Sequence, residues 1–136
     1  ARTVANLYKI FHHEMESLTP GVPLDRELPP NTRVVVWKQS ADVVSESVGF
    51  PGDGSLVGGV PMLEGPGREL KMTPWKSWAT IETVAVMDLA LRTWKARFPQ
   101  EQPILVGNMS APKGGKLEPH SSHQSGRDVD LGYPQK

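Results

Sequence analysis

Apolar residues recur at intervals of three and four from Ile81 through Val84, Met87, Leu91 and Trp94 to Phe98. That spacing lays them along one stripe of an α-helix, with Trp94 and Phe98 as core residues. Thr80 is placed as an N-cap, Glu82 falls in the first turn, and Pro99 cannot continue the helix, so the pattern predicts one long helix from Thr80 to Phe98. Val4, Leu7, Tyr8 and Phe11 repeat the spacing and predict a short amphipathic helix from Thr3 to about His12. A second helical piece, His13 to Leu18, stops before Pro20 and Gly21. Two runs have the β-branched and apolar content of strands: Arg33–Trp37, after the turn Leu28-Pro-Pro-Asn-Thr, and Ile104–Val106. Val129-Asp130-Leu131 reads as a third, short strand. Its alternation turns Asp128 and Asp130 one way and Val129 and Leu131 into the core. The stretch from Gly49 to Gly67 has no useful periodicity and is either disordered or an irregular ordered segment. Trp75 and Trp78, just before the long helix, either pack on its start or line a groove.

Composition narrows the partners. The 136 residues carry a formal net charge of zero, which leaves no electrostatic footprint for nucleic acid or anionic lipid. No run approaches the apolar length of a membrane span. Cysteine is absent, which removes disulfides and thiolate metal sites and leaves the compartment open. Thirteen glycines and thirteen prolines predict a loop-rich structure. Gln39 to Glu46 is polar and reads as a linker. The N-terminus has no basic-apolar-small signal pattern, so a processed or excised chain is expected.

The candidate chemistry is concentrated near the C-terminus. Residues 119–133 hold two of the four histidines, together with Asp128, Asp130 and Gly126. Within them, Ser121 to Asp130 reads Ser-x-His-x-x-Gly-x-x-x-Asp. An imidazole and a carboxylate are both good zinc ligands, and Gly126 allows a turn that returns His123 to Asp130. The other reading of the same residues is a polar loop followed by an ordinary edge strand, because two ligands do not close a site. His12 and His13 are neighbours, about 100° apart on a helix, and cannot chelate one ion together. They read as surface residues.

The run His120-Ser-Ser-His123-Gln-Ser-Gly126-Arg-Asp-Val-Asp130 resembles the zinc motif of the penicillin-insensitive murein endopeptidases, metallopeptidases of the lysostaphin and D-Ala-D-Ala peptidase group. Ser47–Gly59 resembles the N-terminal segment of that family, and Leu105–Gly115 the strand and Gly-Gly loop that lead into the motif. Gly49–Gly67 is therefore expected to be an ordered, irregular wrap around a catalytic core. The resemblance implies a zinc-dependent enzyme that hydrolyses amide bonds in the peptide cross-links of peptidoglycan, the D-alanyl–diaminopimelyl bond in particular, in the periplasm or outside the cell. It implies His123 and Asp130 as zinc ligands and His120 as a catalytic residue. Asp128 and Ser121 fit as residues that orient a ligand or buttress the loop.

Two departures accompany the resemblance. Family members carry a His-x-His element well downstream of the aspartate, supplying a third zinc ligand and a further catalytic imidazole. No such element lies before Lys136. The remaining C-terminal part of a parent protein is thus expected to be needed, and this chain alone to be inactive. Asn108 also stands where aspartate is expected, which removes a charge near the site. A non-enzymatic, truncated or degenerate cell-wall-binding protein is the alternative reading.

Leu7, Leu18, Pro20, Gly21, Leu28, Pro30 and Val34–Val36 resemble the latter part of a LysM module, a small peptidoglycan-binding unit, without its first strand and Gly-Asp turn. The alternative is a helical cap on the main domain. The expected organisation is a partial LysM-like segment over 1–38, a linker over 39–46 and a peptidase portion over 47–136. The expected fold is α+β: a small antiparallel sheet carrying the zinc site, packed against the helix from Thr80 to Phe98.

Overall fold

The computed structural model describes residues 2–8, 19–21, 27–36, 38, 42 and 44–133. Two compact units divide at Val43 and Val44. The protein is a small α+β structure with short sheets and one long helix.

In the first unit, α1 spans Arg2–Tyr8 and buries Ala5. His12, His13, the helical piece expected from His13 to Leu18, and Trp37 lie outside the described residues. Pro29 to Thr32 forms a tight turn, in which the Thr32 N–H and hydroxyl both donate to the Pro29 carbonyl, at 3.2 and 2.6 Å. Pro30 at the second position and Asn31 at φ 64° at the third fit a type II turn. The strand expected from Arg33 is not formed over residues 33–36. There the Val35 N–H donates to the Thr19 hydroxyl at 2.7 Å, a side-chain partner in place of a ladder.

The second unit opens with a hairpin. β1 (Glu46–Phe50) pairs antiparallel with β2 (Asp53–Val57) across Pro51 and Gly52. This corrects the expectation of an irregular wrap. Just before the hairpin, Ser45 accepts a hydrogen bond from the Ile81 N–H at 3.1 Å. β3 (Val60–Pro61) pairs antiparallel with β5 (Trp78–Ala79), and β4 (Arg68–Leu70) pairs parallel with β6 (Ile104–Val106). The single antiparallel sheet is thus replaced by three two-stranded pairs, one of them parallel. A parallel pair needs a crossover, and here the connection carries the long helix.

That helix, α2, spans Ile81–Arg97. Thr80 caps it by accepting from the Thr83 N–H at 3.2 Å, with Glu82 in the first turn and Lys95 and Arg97 in the last. Its predicted stripe is the packed side: Leu91 is buried, and Val84 and Met87 lie against the core of Met62, Ala79, Val106 and Met109. The stripe leaves the core at its end, which corrects the expectation of Trp94 and Phe98 as core residues: Trp94 is half-buried, Phe98 is exposed, and the two rings meet at a tilt with centroids 4.6 Å apart. Trp78 belongs to the buried core, and Trp75 is half-buried in the 3-10 turn Pro74–Lys76. No helix among the described residues is long and apolar enough to cross a membrane.

Candidate metal centre

The predicted strand at residues 129–131 is reduced to one antiparallel bridge between Leu131 and Val106. The segment is nevertheless held in extended pairing. Gly107 N–H donates to the Asp130 carbonyl at 2.8 Å, Asp130 N–H to the Asn108 carbonyl at 3.0 Å, and Gly132 N–H to the Leu105 carbonyl at 2.8 Å. Val129 packs on the core as expected, whereas Leu131 is half exposed. The core edge ends at this bridge, so an inward position there has little to pack against. Gly107 permits the close approach: a Cβ on it would lie 2.8 Å from the Asp130 Cβ.

The two histidines come from the loop before that segment. Leu117 is fully buried, and the turn it anchors closes through His120 N–H to the Leu117 carbonyl at 2.8 Å, over a cis Glu118–Pro119 bond. The chain then turns sharply: His123 has φ 67° and Gly126 φ 73°. A histidine in the left-handed region is uncommon and costs conformational energy, so the surroundings must hold it there. Two neighbours do so. Asp128 accepts the His123 N–H at 3.1 Å, and Gln124 is bonded on three sides. Its N–H donates to the Pro51 carbonyl at 2.9 Å, its side-chain amide to the Gly52 carbonyl at 2.8 Å, and its own carbonyl accepts from Gly115 at 2.9 Å. The β1–β2 tip and the Gly-Gly loop thereby clamp the residue next to His123.

These backbone constraints bring His123 Nε2 within 3.2 Å of Asp130 Oδ1. His120 lies edge-on to His123, at 4.8 Å between ring centroids, and its Nε2 is 2.8 Å from the Asn108 side-chain nitrogen. One donor atom from each of His120, His123 and Asp130 falls within a 4.8 Å span. His123 is buried and its Nδ1 has no hydrogen-bond partner among the described residues, while Asp130 is about half exposed.

The donor set suits a metal ion. Bonds of about 2.0–2.1 Å put neighbouring ligand atoms of a tetrahedral zinc roughly 3.3 Å apart, a spacing His123 and Asp130 already meet.

A family model described as penicillin-insensitive murein endopeptidase matches residues 47–135. The chain belongs to that family. No curated protein matches it. As a murein endopeptidase it is a hydrolase, its substrate is peptidoglycan, and its place is the cell envelope.

The predicted site residues fare unevenly in this murein endopeptidase. His120, His123 and Asp130 are brought together. Asp128 does reach His123, but by the main-chain N–H and not by the ring. Ser121 is exposed, and its hydroxyl makes no hydrogen bond among the described residues. Its carbonyl closely approaches the hairpin instead, where a Cβ on Gly52 would stand 2.9 Å away. Gln124 was invisible in the sequence, since nothing local to it announces a partner in the distant Pro51-Gly52 turn.

Proposed function

We propose that the chain is a zinc-dependent murein endopeptidase that cleaves amide bonds in peptide cross-links, the D-alanyl–diaminopimelyl bond in particular, in the periplasm or outside the cell. The observation that carries this reading is the 3.2 Å approach of His123 to Asp130, with His120 alongside, inside the stretch the family model covers. In this reading His123 and Asp130 are the metal ligands and His120 is the catalytic residue. Zinc, when bound, supplies Lewis-acid activation of water and of the scissile carbonyl.

The remaining roles belong to the chain itself. Asp128 helps hold the His123 backbone in its unusual conformation, which sets the direction in which the side chain leaves the loop. Gly107 and Asn108 fix the Asp130 backbone, which leaves only the carboxylate to orient. The loop carrying Ser121 is set by the hairpin tip, so Ser121 contributes position and no nucleophile. His120 stands half-buried at the edge of the pair, within reach of a substrate amide entering from solvent. Residues 1–38, read as a partial LysM-like segment, would hold the enzyme on glycan strands and raise the local concentration of cross-links.

Elemental analysis and digestion of purified peptidoglycan test the reading together. The expected result, on a protein that also carries the C-terminal part expected to supply the third ligand, is bound zinc, release of cross-linked peptides, and loss of both in His123→Ala and in Asp130→Ala. Undiminished hydrolysis in either variant would show that the site lies elsewhere. Co-sedimentation with insoluble peptidoglycan tests the first segment, with weaker retention expected for a chain that starts at Val44.

A further inference from the structure

Lys76 borders the candidate site and carries a charge that no carboxylate answers among the described residues. Its main chain meets the segment next to Asn108, because the Lys76 carbonyl accepts from the Met109 N–H at 2.9 Å. Its side chain reaches the loop that carries His120, where Nζ donates to the Glu118 carbonyl at 3.3 Å. Asn108 and His120 meet at 2.8 Å, so Lys76 flanks the edge of the site at which His120 stands. An ammonium has three donors, and this contact uses one of them. Glu118 directs its own carboxylate to Lys116, at 2.7 Å. The Lys76 side chain is half-buried, and Nζ lies 5.3 Å from the centroid of the Trp75 ring. The indole covers one side of the ammonium, and a cation partly withdrawn from water attracts an anion more strongly than one fully in solvent. The 3-10 turn fixes both side chains: Lys76 N–H donates to the Thr73 carbonyl at 2.8 Å, and the Ser77 hydroxyl to the Pro74 carbonyl at 2.6 Å.

We propose that Lys76, backed by Trp75, binds the substrate carboxylate attached to the carbon that bears the scissile amide nitrogen. The inference rests on the cleavage reading given above. In a D-alanyl–diaminopimelyl cross-link that carbon carries a carboxyl group, so an amide seated beside His120 brings a negative charge with it. A chain of zero net charge has no general attraction for anions, and selection of this one falls to a local cation. Lys76 makes and breaks no bond; it sets which cross-links are held at the site.

The test measures hydrolysis of a soluble cross-linked muropeptide dimer in two forms, with that carboxyl free or amidated, by a protein that also carries the C-terminal part expected to supply the third ligand. The native protein is expected to favour the free form about tenfold to a hundredfold, the worth of one hydrogen bond to a charged group. Lys76→Gln should abolish the preference by weakening the free form alone, chiefly through KM, and Lys76→Arg should keep it. Equal losses on both forms would show that Lys76 does no more than hold the Glu118 carbonyl, and would overturn the proposal. A native protein indifferent to amidation would overturn it too. Calorimetric titration of the His120→Gln protein with both forms reads binding apart from cleavage. A preference for the free form that Lys76→Gln removes there supports the role of Lys76 even if the native protein hydrolyses neither form, in which case the cleavage reading alone fails. Hydrolysis without that preference leaves the cleavage reading standing and rejects the role of Lys76.

Discussion

From Ile81 to Val106 the chain is held mainly by apolar side chains. From Leu117 to Leu131 it is held mainly by polar atoms of the main chain. In the first region Leu91, Val106, Val84 and Met87 meet Met62, Ala79 and Met109, and the backbone is satisfied within α2 and along β6. In the second, the apolar anchors are only Leu117 and Val129, and the rest is a set of single hydrogen bonds: Asp128 and Gln124 around His123, Gly107 and Asn108 around Asp130. Non-directional burial suits a scaffold, because it rewards any close-packed arrangement. Directional bonds suit a site, because they set where a donor atom points at the expense of a strained turn at His123. Chemistry and stability should therefore respond to different mutations.

The largest effect should come from the loop and leave the scaffold alone. His123→Asn retains a side chain tolerated at positive φ while removing the imidazole. Hydrolysis of peptidoglycan is expected to fall to background and zinc to be lost, with the circular dichroism spectrum unchanged. Loss of the helical signal in this variant would mean that the loop also supports the fold, and the division between the regions would collapse.

The converse change is Leu91→Ala, which empties a buried position on α2. Such truncations cost about 2–5 kcal/mol. Urea unfolding should show a loss in that range, while zinc affinity measured on the folded protein stays native. A weakened zinc site at unchanged fold would show that the core transmits strain to the loop.

How legible each region was in the sequence follows from the same contrast. The helix and β6 were readable almost to the residue, because their periodicity and caps are local: Thr80, Glu82 and Pro99 bound a stripe that needs no distant partner. The β1–β2 hairpin was missed because Gly49, Gly52 and Gly54 interrupt any alternation. The Pro51-Gly52 turn between Phe50 and Asp53 was the signal available. The parallel partner of β6 was missed because Arg68-Glu69-Leu70 reads as polar. Arg68 is buried there by its bonds to Asp88 and the Leu63 carbonyl, not by hydrophobicity. At the site, the motif gave the residue types, and the fold supplied what orients them. Asp128 works through a main-chain N–H, and Gln124 through a turn far away in sequence. No spacing rule encodes either.

Asp128→Ala probes the orienting bonds with a smaller expected effect. It removes the acceptor of the His123 N–H but no proposed ligand. Losing a residue that orients a ligand lowers metal affinity about 10- to 100-fold. Titration with a competing chelator should read that loss, with the melting temperature shifted little. Native affinity would mean that Gln124 and the hairpin suffice to hold His123.

The smallest effect belongs to a polar contact on the scaffold side, the counter-example that sharpens the contrast. Asp88 on α2 bridges Arg92 at 2.6 Å and Arg68 at 2.7 Å. Hydrogen bonds from Arg92 and then Arg68 hold its carboxyl below the ordinary carboxylate range, against a smaller opposing push from burial. A carboxyl with a depressed folded-state pKa contributes stability that is present above its unfolded value, about 3.9, and is lost as pH falls through the lower folded value. The difference in melting temperature between the native chain and Asp88→Asn should be constant from neutral pH down to roughly 5. It should then shrink on further acidification, with zinc affinity at neutral pH the same in both. A difference that instead grew on acidification would contradict the depressed pKa. A change in zinc affinity would mean that a bond on α2 reaches the loop, and that the scaffold is not held by burial alone.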